Sequence, residues 1–561
     1  MKIPHRETAA VLQAGPASCP GANIVTQTGP ADAQRQPSTR MKDQGYDQVM
    51  SMKRVLLVSS ECYPLVKTTG LADVVGALPA PLVANGIDAQ VLLPGYSGVL
   101  EQVSLSSSKA VARWTDLFGG GEARLFRGEI DSGLKVWIID VPGLYERAQG
   151  SLYVHPDPGD PARSVDWPDN HKRFAALGWV SARISESFVQ EWTPDVVHLH
   201  DWQAAMAAVY LRSSKVSHAK SVFTIHNLAY KGVVPPDMGT AAIRQYLTEL
   251  RLPPEVDSRI VSPTSFLETG LRYADHLTAV SGTYAREIIS EPAGMGFADL
   301  LRARSARGQL SGIRNGIDMQ VWNPASDQLL EESHHFSVDS LDGKSRAKVY
   351  LQRMLHLDVN PNHPLIGVVS RLSHQKGIDL LLGILPELLR RYPHLQVAIS
   401  GMALEQSERK LETQILEIAR HYRGRMAVRT TGPSIKHDEA LPHYMQAGLD
   451  MLVVPSRFEP CGLTQLCALR YGTIPVVART GGLADTVLDV GNGPLAQSAG
   501  TGFHFIPGSA EDLSLSLDHA IGAYCNKRAW HDLQIRAMLS DVGWEGPALE
   551  YSQLYQRLLE S

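Results

Sequence analysis

The stretch KRVLLVSSECYPLVKTTGLADVVGALP, residues 53–79, decides the expected fold, because its pattern is that of a buried strand that turns directly into a helix. The turn carries Lys67 and Gly70 just before that helix. A helix N-terminus preceded by a glycine-bearing turn offers free N–H groups and a positive dipole end, which suit a phosphate. A turn with one glycine is more often a simple chain reversal, so both interpretations stay open at this point.

The same strand-then-helix order recurs along the chain in two series. Short apolar runs alternate with segments of helical period, which is typical of parallel sheets covered by helices on both faces. The polar stretch VNPNHP, residues 359–364, separates the series. We therefore predict an α/β protein with two doubly wound, Rossmann-like domains that face each other across a cleft. The strand-like runs are RVLLVSS, DAQVLLPGY, LKVWIIDV, DVVHLH, SVFTIH and HLTAVS, then LIGVVSRL, LQVAISG, RMAVRTTG, DMLVVPS and TIPVVA.

The expected domain boundaries follow from these series. Residues 1–52 have few large apolar side chains and are expected to be a disordered extension, and translation starting near Met52 is a hypothesis. Residues 53–310 and 311–538 form the two predicted domains, and 539–561 an amphipathic helix. Apolar and aromatic residues at helical spacing in that helix are expected to pack inward: Leu549, Tyr551, Tyr555 and Leu558.

Composition excludes several classes of function. The 561 residues carry a net charge of −5, which gives no basic surface for nucleic acid, and no apolar stretch approaches the ~20 residues of a membrane span. The five cysteines are scattered without a C-x-x-C pair, which argues against a disulfide framework and a zinc site. A reducing compartment, the cytoplasm, is the expected location.

Polar side chains follow directly after several of the predicted strands. Because the carboxyl ends of parallel strands meet at one edge of a sheet, we expect these side chains to line the cleft between the two domains. They are His200, Asp201, His226, Asn227, Ser281, Arg371 and the segment from Ser456 to Glu459.

Three segments of the second domain have the residue types of an anion and sugar site. VSRLSHQKG places Arg371 and Lys376 around a helix start, where they could neutralise a diphosphate without a metal, although a solvated basic turn has the same pattern. SRFEPCGLTQL places Glu459 before a new helix near Leu463, where a carboxylate could accept hydrogen bonds from sugar hydroxyls. RTGGLADTV, residues 479–487, opens a further helix with a glycine turn, which could also be a cap alone.

The histidines of the first domain allow two kinds of chemistry. His200, Asp201 and His226 could form an acid/base pair or part of a metal site, while each alone is more often a hydrogen-bonded structural residue. A metal site would need a third ligand beside the histidine and carboxylate pair, and none stands at a convincing spacing, which argues against a metal.

The motifs as a set resemble the bacterial glycogen synthase and plant starch synthase family. KTTGLADVVGALP, HDWQAA, HNLAYKG, TAVSGTYAREI, IRNGID, VSRLSHQKG, PSRFEPCGLTQL and RTGGLADTV follow one another in the order of that family, from about Lys53 to the C-terminus. The resemblance implies the GT-B fold and retaining transfer of glucose from ADP-glucose to the non-reducing 4-OH of an α-1,4-glucan, without a metal or other cofactor. It also implies an N-terminal acceptor domain onto which the last helix packs back.

The resemblance assigns five residues to catalysis. Asp201 resembles the essential aspartate of the cleft, and His226 the histidine that faces the glucosyl C1 and 6-OH. Arg371 and Lys376 resemble the phosphate clamp, and Glu459 the carboxylate that holds the sugar hydroxyls. The remaining matched positions resemble donor-binding residues, two of them phosphate turns and one an adenine contact: Lys67, Gly70, Asn227, Asn315, Cys461, Gly462, Leu463, Thr464, Gly481, Gly482 and His437.

The chain departs from the family at several positions around the donor. Thr69 replaces a glycine and would be strained if that position needs a positive φ. Glu268 reverses a lysine charge, while His437 and Cys467 replace tyrosines. MALEQSE, residues 402–408, replaces a glycine-rich turn. These departures leave two alternatives: a related GT-B enzyme with another donor or acceptor, and a catalytically weak paralogue that binds glucan or regulates a partner.

Overall fold

Two β-sheets organise the computed structural model, and each has its own hydrophobic core. We call the part built on the first sheet the N-lobe and the part built on the second the C-lobe. The predicted disorder of the N-terminal extension and the predicted contact of His437 lie outside the described residues. No helix within those residues is both long and apolar enough to cross a membrane. The structure describes residues 52–147, 151–157, 159, 164–187, 192–232, 249–251, 265–403, 406–431, 439–491, 493, 495 and 498–561.

The strands of the N-lobe form a ten-stranded sheet within the described residues. They are β1 (Lys53–Val58), β2 (Ile87–Pro94), β3 (Ser104–Leu105), β4 (Ala112–Trp114), β5 (Ala123–Glu129), β6 (Lys135–Asp140), β9 (Val196–His200), β10 (Lys220–Ile225), β11 (His276–Ala279) and β12 (Leu310–Gly312). Their order is β12-β11-β10-β9-β1-β2-β6-β5-β3, with β4 paired to β5. A separate antiparallel pair consists of β7 (Val154–Pro156) and β8 (Ser164–Asp166).

The C-lobe sheet is parallel throughout its described strands. They are β13 (Leu365–Arg371), β14 (Gln396–Met402), β15 (Met426–Thr431), β16 (Met451–Val454), β17 (Ile474–Ala478) and β18 (Phe503–Phe505). Their order is β15-β14-β13-β16-β17-β18. The strand order reverses beside β13, which places a ligand crevice at its carboxyl end, where Arg371 stands.

Helices connect the strands of both lobes. In the N-lobe they are α1 (Gly70–Ala77), α2 (Pro79–Ala84), α3 (Pro142–Tyr145), α4 (Asn170–Ser185), α5 (Asp201–Ala204), α6 (Met206–Ser213), α7 (Phe266–Tyr273), α8 (Gly282–Glu287) and α9 (Ala298–Ala306). Later helices are α10 (Asp342–Met354), α11 (Ile378–Arg391), α12 (Gln406–His421), α13 (Ala440–Gly448), α14 (Thr464–Arg470), α15 (Gly481–Thr486), α16 (Ala510–Tyr524), α17 (Lys527–Met538) and α18 (Glu545–Glu560).

All eleven apolar runs singled out in the sequence contain a strand, which confirms the α/β prediction. Strands buried on both faces are nearly continuous in apolar residues, and β1 illustrates this with four consecutive buried positions. The sequence analysis missed the antiparallel edge made by β3, β4 and β5. β3 and β4 are only two and three residues long, and β5 is interrupted by partly buried arginines, so these strands lack the continuous apolar signal.

The chain crosses between the lobes a few residues later than the expected boundaries. Ile313 belongs to the N-lobe core and Ile317 to the C-lobe core, so the first crossing follows β12 instead of cutting it at residue 310. The return lies between Val542 and Trp544. The final helix α18 then packs on the N-lobe through most of the expected face, because Tyr551 and Tyr555 are buried and Leu558 is partly buried against that core. Leu549 is half-exposed, while the buried positions include Tyr551, Leu554 and Tyr555.

Candidate active site

The strand ends of the N-lobe bring the predicted histidines and aspartate together. β9 ends at His200, and its parallel neighbour β10 ends at Ile225, just before His226. Nδ1 of His200 lies 3.0 Å from Nε2 of His226. Asp201 opens α5 directly after β9. The sheet edge therefore gathers these residues as the strand pattern predicted.

Asp201 has an unusual backbone conformation and a raised carboxyl pKa. It is buried with a φ of +61°, a conformation that is uncommon for a residue with a side chain and that occurs at functional sites. Burial raises the pKa of its carboxyl to about 8, and the backbone amides of Asn227, His226 and Trp202 lower it in part. Its Oδ1 is buried without a hydrogen-bond partner among the described residues. A carboxyl with a pKa raised in this way can hold its proton near neutral pH and donate a hydrogen bond to a ligand.

The imidazoles behind Asp201 are neutral. Burial lowers the pKa of His226 to about 3 and, with a smaller contribution from His226, the pKa of His198 to about 3. Oη of Tyr555 in α18 lies 2.8 Å from Nδ1 of His198, and Oγ1 of Thr224 lies 2.6 Å from its Nε2. A neutral His226 with such a low pKa is a weak base, which favours a hydrogen-bonding role over general acid/base catalysis.

The C-lobe holds Lys376 and Glu459 as a partly buried ion pair. Nζ of Lys376 donates to Oε2 of Glu459 at 2.6 Å, and Oγ of Ser456 donates to the same oxygen at 2.9 Å. Gly377 follows Lys376 with a φ of +65°, and a Cβ there would overlap the carbonyl oxygen of Pro455. This close backbone contact requires glycine and holds the lysine turn against the loop that carries Glu459.

Two polar contacts join the lobes beside this ion pair. Arg371 ends β13, and its Nη1 donates to Oη of Tyr230 in the N-lobe at 2.9 Å. Its Nη2 donates to Oε1 of Glu408 in α12 at 2.8 Å. Nδ2 of Asn227 donates to Oε1 of Gln375 at 3.2 Å. The N-lobe strand ends and the C-lobe cations therefore line one cleft.

The Lys67 turn differs from a simple anion cradle. Oε2 of the buried Glu61 accepts hydrogen bonds from the backbone N–H groups of Thr68 at 2.6 Å and Thr69 at 2.8 Å. Lys67 itself is half-exposed and donates to Asp73 at 2.7 Å. The turn therefore presents a lysine side chain to a ligand, while two of its amides already have an anionic partner.

Thr69 is not strained in this turn. Its φ of −134° is extended backbone, so the positive φ that would have penalised a threonine is absent at this residue. Its hydroxyl accepts a hydrogen bond from the N–H of Leu71 at 3.2 Å and so caps α1. Serine and threonine are favoured at this position of a helix, which explains how the chain accommodates a threonine there.

The second glycine turn is occupied by groups of the protein. The N–H of Gly481 donates to Oε1 of Glu287 in the N-lobe at 3.0 Å, and the N–H of Gly482 donates to the carbonyl of Glu459 at 3.0 Å. A Cβ at Gly482 would overlap the backbone of Cys461. The structure thus gives these glycines a packing role. That these glycines contact a phosphate stays a prediction. Their N–H groups could bind a phosphate only after the hydrogen bonds to Glu287 and Glu459 break.

The loop from Cys461 to Thr464 lies where the lobes meet. Cys461 packs in the N-lobe core, and burial raises the pKa of its thiol to about 12. Gly462 has a φ of +73°, and α14 begins at Thr464. A Cβ on Gly70 would lie 3.1 Å from Cδ1 of Leu463, so the first glycine turn faces this loop across the cleft. Asn315 is buried nearby with its Oδ1 unpaired among the described residues.

The structure also identifies cleft residues that the sequence analysis missed. Glu61 directly follows the first apolar run, and Tyr230 and Gln375 lie inside quoted motifs, so the strand-end signal could have found all three. Glu287 and Glu408 also lie inside quoted segments, but they stand within helices beyond the strand ends and gave no strand-end signal. Among the described residues, no three His, Cys, Asp or Glu side chains are grouped so that they could hold a metal ion.

The two halves of the chain match two family models. The starch synthase catalytic domain matches residues 54–303, and the glycosyl transferases group 1 model matches residues 356–529. Glycogen synthase 2 of Bradyrhizobium diazoefficiens is 44% identical over 513 residues, which cover 91% of this chain and 99% of that protein. A glycogen synthase of Roseobacter denitrificans is 41% identical over 507 residues, which cover 90% of this chain and 99% of that protein.

Solved structures agree with these relatives. The catalytic domain of starch synthase IV from Arabidopsis thaliana, bound to ADP and acarbose, matches with a TM-score of 0.76 and 27% identity over 91% of this chain and 100% of that chain. Sucrose-phosphate synthase from Thermosynechococcus elongatus matches with a TM-score of 0.53 and 16% identity over 91% of this chain and 99% of that chain, a likeness of fold alone. The chain therefore belongs to the glycogen synthase and starch synthase family of GT-B glycosyltransferases.

Proposed function

We propose that this chain transfers glucose from ADP-glucose to the non-reducing 4-OH of an α-1,4-glucan and retains the anomeric configuration. The observation that carries the proposal is the hydrogen bond of 3.2 Å between Asn227 and Gln375. Because His226 and Lys376 are their direct chain neighbours, this contact sets the predicted sugar-facing histidine opposite the predicted phosphate clamp. A nucleotide sugar bound between the lobes would then have its glucosyl–phosphate bond at that junction.

The C-lobe cations would stabilise the leaving group. When the bond between C1 and the phosphate oxygen breaks, ADP keeps the electron pair and the sugar ring becomes positive. Arg371 and Lys376 are permanent cations at the carboxyl edge of the C-lobe sheet and would neutralise the diphosphate. We propose that they make a metal or other cofactor unnecessary, and full transfer activity in the presence of a chelator would be the supporting result.

The remaining residues would orient the sugar. Glu459 would exchange its ion pair with Lys376 for the sugar hydroxyls once the diphosphate binds the lysine. A protonated Asp201 and a neutral His226 would donate hydrogen bonds to the glucosyl hydroxyls. The acceptor 4-OH would attack C1 from the face that ADP leaves, and the departing phosphate would take the hydroxyl proton. Retention of configuration follows from this same-face attack.

The proposed partners are small molecules and glucan. ADP-glucose and an α-1,4-glucan are the substrates, and we expect neither nucleic acid nor a membrane as a partner. We propose the cytoplasm, where nucleotide sugars are available, as the location. Fractionation of native cells with an antibody against the chain would test that location directly.

The test is transfer of labelled glucose to glycogen from ADP-glucose, UDP-glucose or GDP-glucose. The variants are Lys376→Ala and, as a matched control, Lys410→Ala, because Lys410 is an exposed lysine of the same lobe. We expect transfer from ADP-glucose, a loss of about 100-fold in Lys376→Ala, and no change in the control. Transfer from another nucleotide sugar alone would assign a different donor, and no transfer from any of the three would overturn the proposal.

A further inference from the structure

The carboxylate of Glu408 occupies the predicted phosphate clamp from inside the C-lobe. Its side chain is only 2% exposed, and its Oε1 accepts from Nη2 of Arg371 at 2.8 Å. Glu408 lies in the first turn of α12 and is the last residue of the segment, 402–408, that replaces the expected glycine-rich turn. It therefore belongs to a part of the chain where the resemblance to the family fails.

We propose that Glu408 competes with the donor diphosphate for Arg371 and thereby weakens donor binding. The inference rests on the proposed function, because it takes Arg371 as a phosphate ligand. A carboxylate and a phosphate both bind a guanidinium through the same N–H groups. A donor that binds Arg371 must displace Glu408 from Nη2 or share the guanidinium with it at close range. Both routes reduce the affinity, since two anions then lie next to each other.

The different burial of the two partners means that Arg371 is more accessible to a ligand than Glu408. The side chain of Arg371 is 30% exposed, whereas that of Glu408 is almost completely enclosed. A ligand can therefore reach the arginine while the carboxylate stays fixed behind it. The cleft has room for such a ligand, because a cavity of ≈ 210 Å³ is lined by Tyr230, Arg371, Gln375, Glu408 and Phe458 among others.

The Lys376–Glu459 ion pair differs from the Arg371–Glu408 pair in the new partners that its carboxylate could find when a donor binds. Glu459 lies in the loop between β16 and α14, where sugar hydroxyls would replace Lys376 as its partners. Glu408 lies behind Arg371 in α12, and no sugar-binding role is assigned to it. A bound donor would therefore compensate the loss of the Lys376–Glu459 contact, whereas at Arg371 it would bring its diphosphate next to the carboxylate of Glu408.

The experiment measures the dissociation constant of ADP by titration calorimetry on the full chain, with inorganic pyrophosphate as a second probe. Glu408→Gln keeps the shape of the side chain and removes its charge. Glu417→Gln is the matched control, because Glu417 is an exposed residue of the same helix and its change alters the net charge equally. We expect ADP to bind about 10-fold more tightly to Glu408→Gln and unchanged to the control.

A double variant tests whether the effect passes through Arg371. In an Arg371→Ala background, Glu408→Gln should change the ADP affinity by much less than in the wild type, because the shared partner is gone. Thermal unfolding of each variant checks that the helix remains folded. An ADP affinity that is unchanged or weaker in a folded Glu408→Gln protein would overturn the inference, as would an equal gain in both backgrounds.

The transfer assay separates this inference from the proposed function. If the wild type transfers glucose from ADP-glucose and Glu408→Gln fails to tighten ADP binding, the function stands and the role of Glu408 is wrong. If the wild type and the Glu408→Gln variant bind neither ADP nor pyrophosphate, both proposals fail together.

Discussion

The two glycine turns that face the cleft have nearly the same sequence pattern and different surroundings. The Lys67 turn opens α1, and its amides are held by Glu61 of the same lobe. The turn at Gly481 and Gly482 opens α15, and its amides are held by Glu287 from the other lobe and by the backbone of Glu459. The first turn leaves a lysine side chain half-exposed, whereas the second encloses its glycines beneath the loop that carries Glu459.

This difference shows that the space around a glycine at a helix start can be limited in two ways, by a flexible side chain or by rigid backbone. At Gly70 an added Cβ would meet only the flexible side chain of Leu463 at 3.1 Å. At Gly482 it would overlap the backbone of Cys461, which has nowhere to move without displacing the loop. The first turn therefore leaves a lysine side chain half-exposed at the cleft, whereas the glycines of the second fix the shape of the loop above it.

Replacing Gly482 by alanine should produce the largest effect and should separate the two turns. Overlap with the Cys461 backbone would displace the loop from Glu459 onward, so transfer activity should fall about 100-fold. The free energy of unfolding should fall by about 3 kcal/mol because the core around Cys461 is packed closely. Transfer assays and urea unfolding would measure the two effects.

Gly70→Ala is the matched change in the other turn. Its methyl group can be accommodated by rotation of Leu463, so the free energy of unfolding should change by less than about 1 kcal/mol. If both alanine variants lost stability and activity equally, the two turns would have the same role and the comparison would be wrong.

Lys67→Ala should produce the next largest effect, and it should act on binding alone. If the lysine side chain is the contribution of the first turn, its removal takes away one charge-assisted contact with the diphosphate. The ADP dissociation constant should then rise about 10-fold or more. The free energy of unfolding should change by less than about 1 kcal/mol, because the pair with Asp73 is half-exposed.

Lys410→Ala serves again as the exposed control in the same titration. Wild-type ADP affinity in a folded Lys67→Ala protein would mean that the first turn contributes no side-chain contact.

Most of the fold could be predicted from the sequence because its strands are buried on both faces. β1 ends in an uninterrupted apolar run, and β9 and β10 are buried along nearly their whole length although they contain polar residues such as His198 and Thr224. The polar residues that follow each strand mark the sheet edge. The edge strands β3 and β4 could not be predicted, since they are two and three residues long. The crossing between Ile313 and Ile317 was placed a few residues early, because β12 is short and only partly buried.

The candidate site was predictable where a residue follows a strand and unpredictable where it acts from a helix. Asp201, His226 and Arg371 all stand at strand ends, and the structure brings them to one cleft. Glu287 and Glu408 reach the cleft from helices whose sequences are ordinary amphipathic or polar patterns. Their roles depend on which residue of the other element they face, and spacing along the chain carries no information about that partner.

Glu287→Ala should have a smaller effect than Gly482→Ala or the loss of ADP binding in Lys67→Ala, and it should act on the second turn. It removes the acceptor for the N–H of Gly481 and for the hydroxyl of Thr480 across the lobe interface. The free energy of unfolding should fall by about 1 kcal/mol, the usual value for a lost cap or hydrogen bond. Glu550→Ala, an exposed glutamate of α18, is the control. Unchanged stability of the Glu287 variant would mean that its hydrogen bonds to Gly481 and Thr480 do not stabilise this turn.

Thr69→Gly should have the smallest effect, because the threonine already has an extended backbone with a φ of −134°. The change removes the cap that its hydroxyl provides to Leu71, and glycine at a helix N-cap costs only a few tenths of a kcal/mol relative to threonine, so about 0.3 kcal/mol of stability should be lost. The ADP dissociation constant should stay within about twofold of the wild-type value, since no strain is present that glycine could relieve. Tighter ADP binding by the glycine variant would mean that the threonine side chain obstructs the diphosphate after all. The first turn would then bind through its backbone as well as through Lys67.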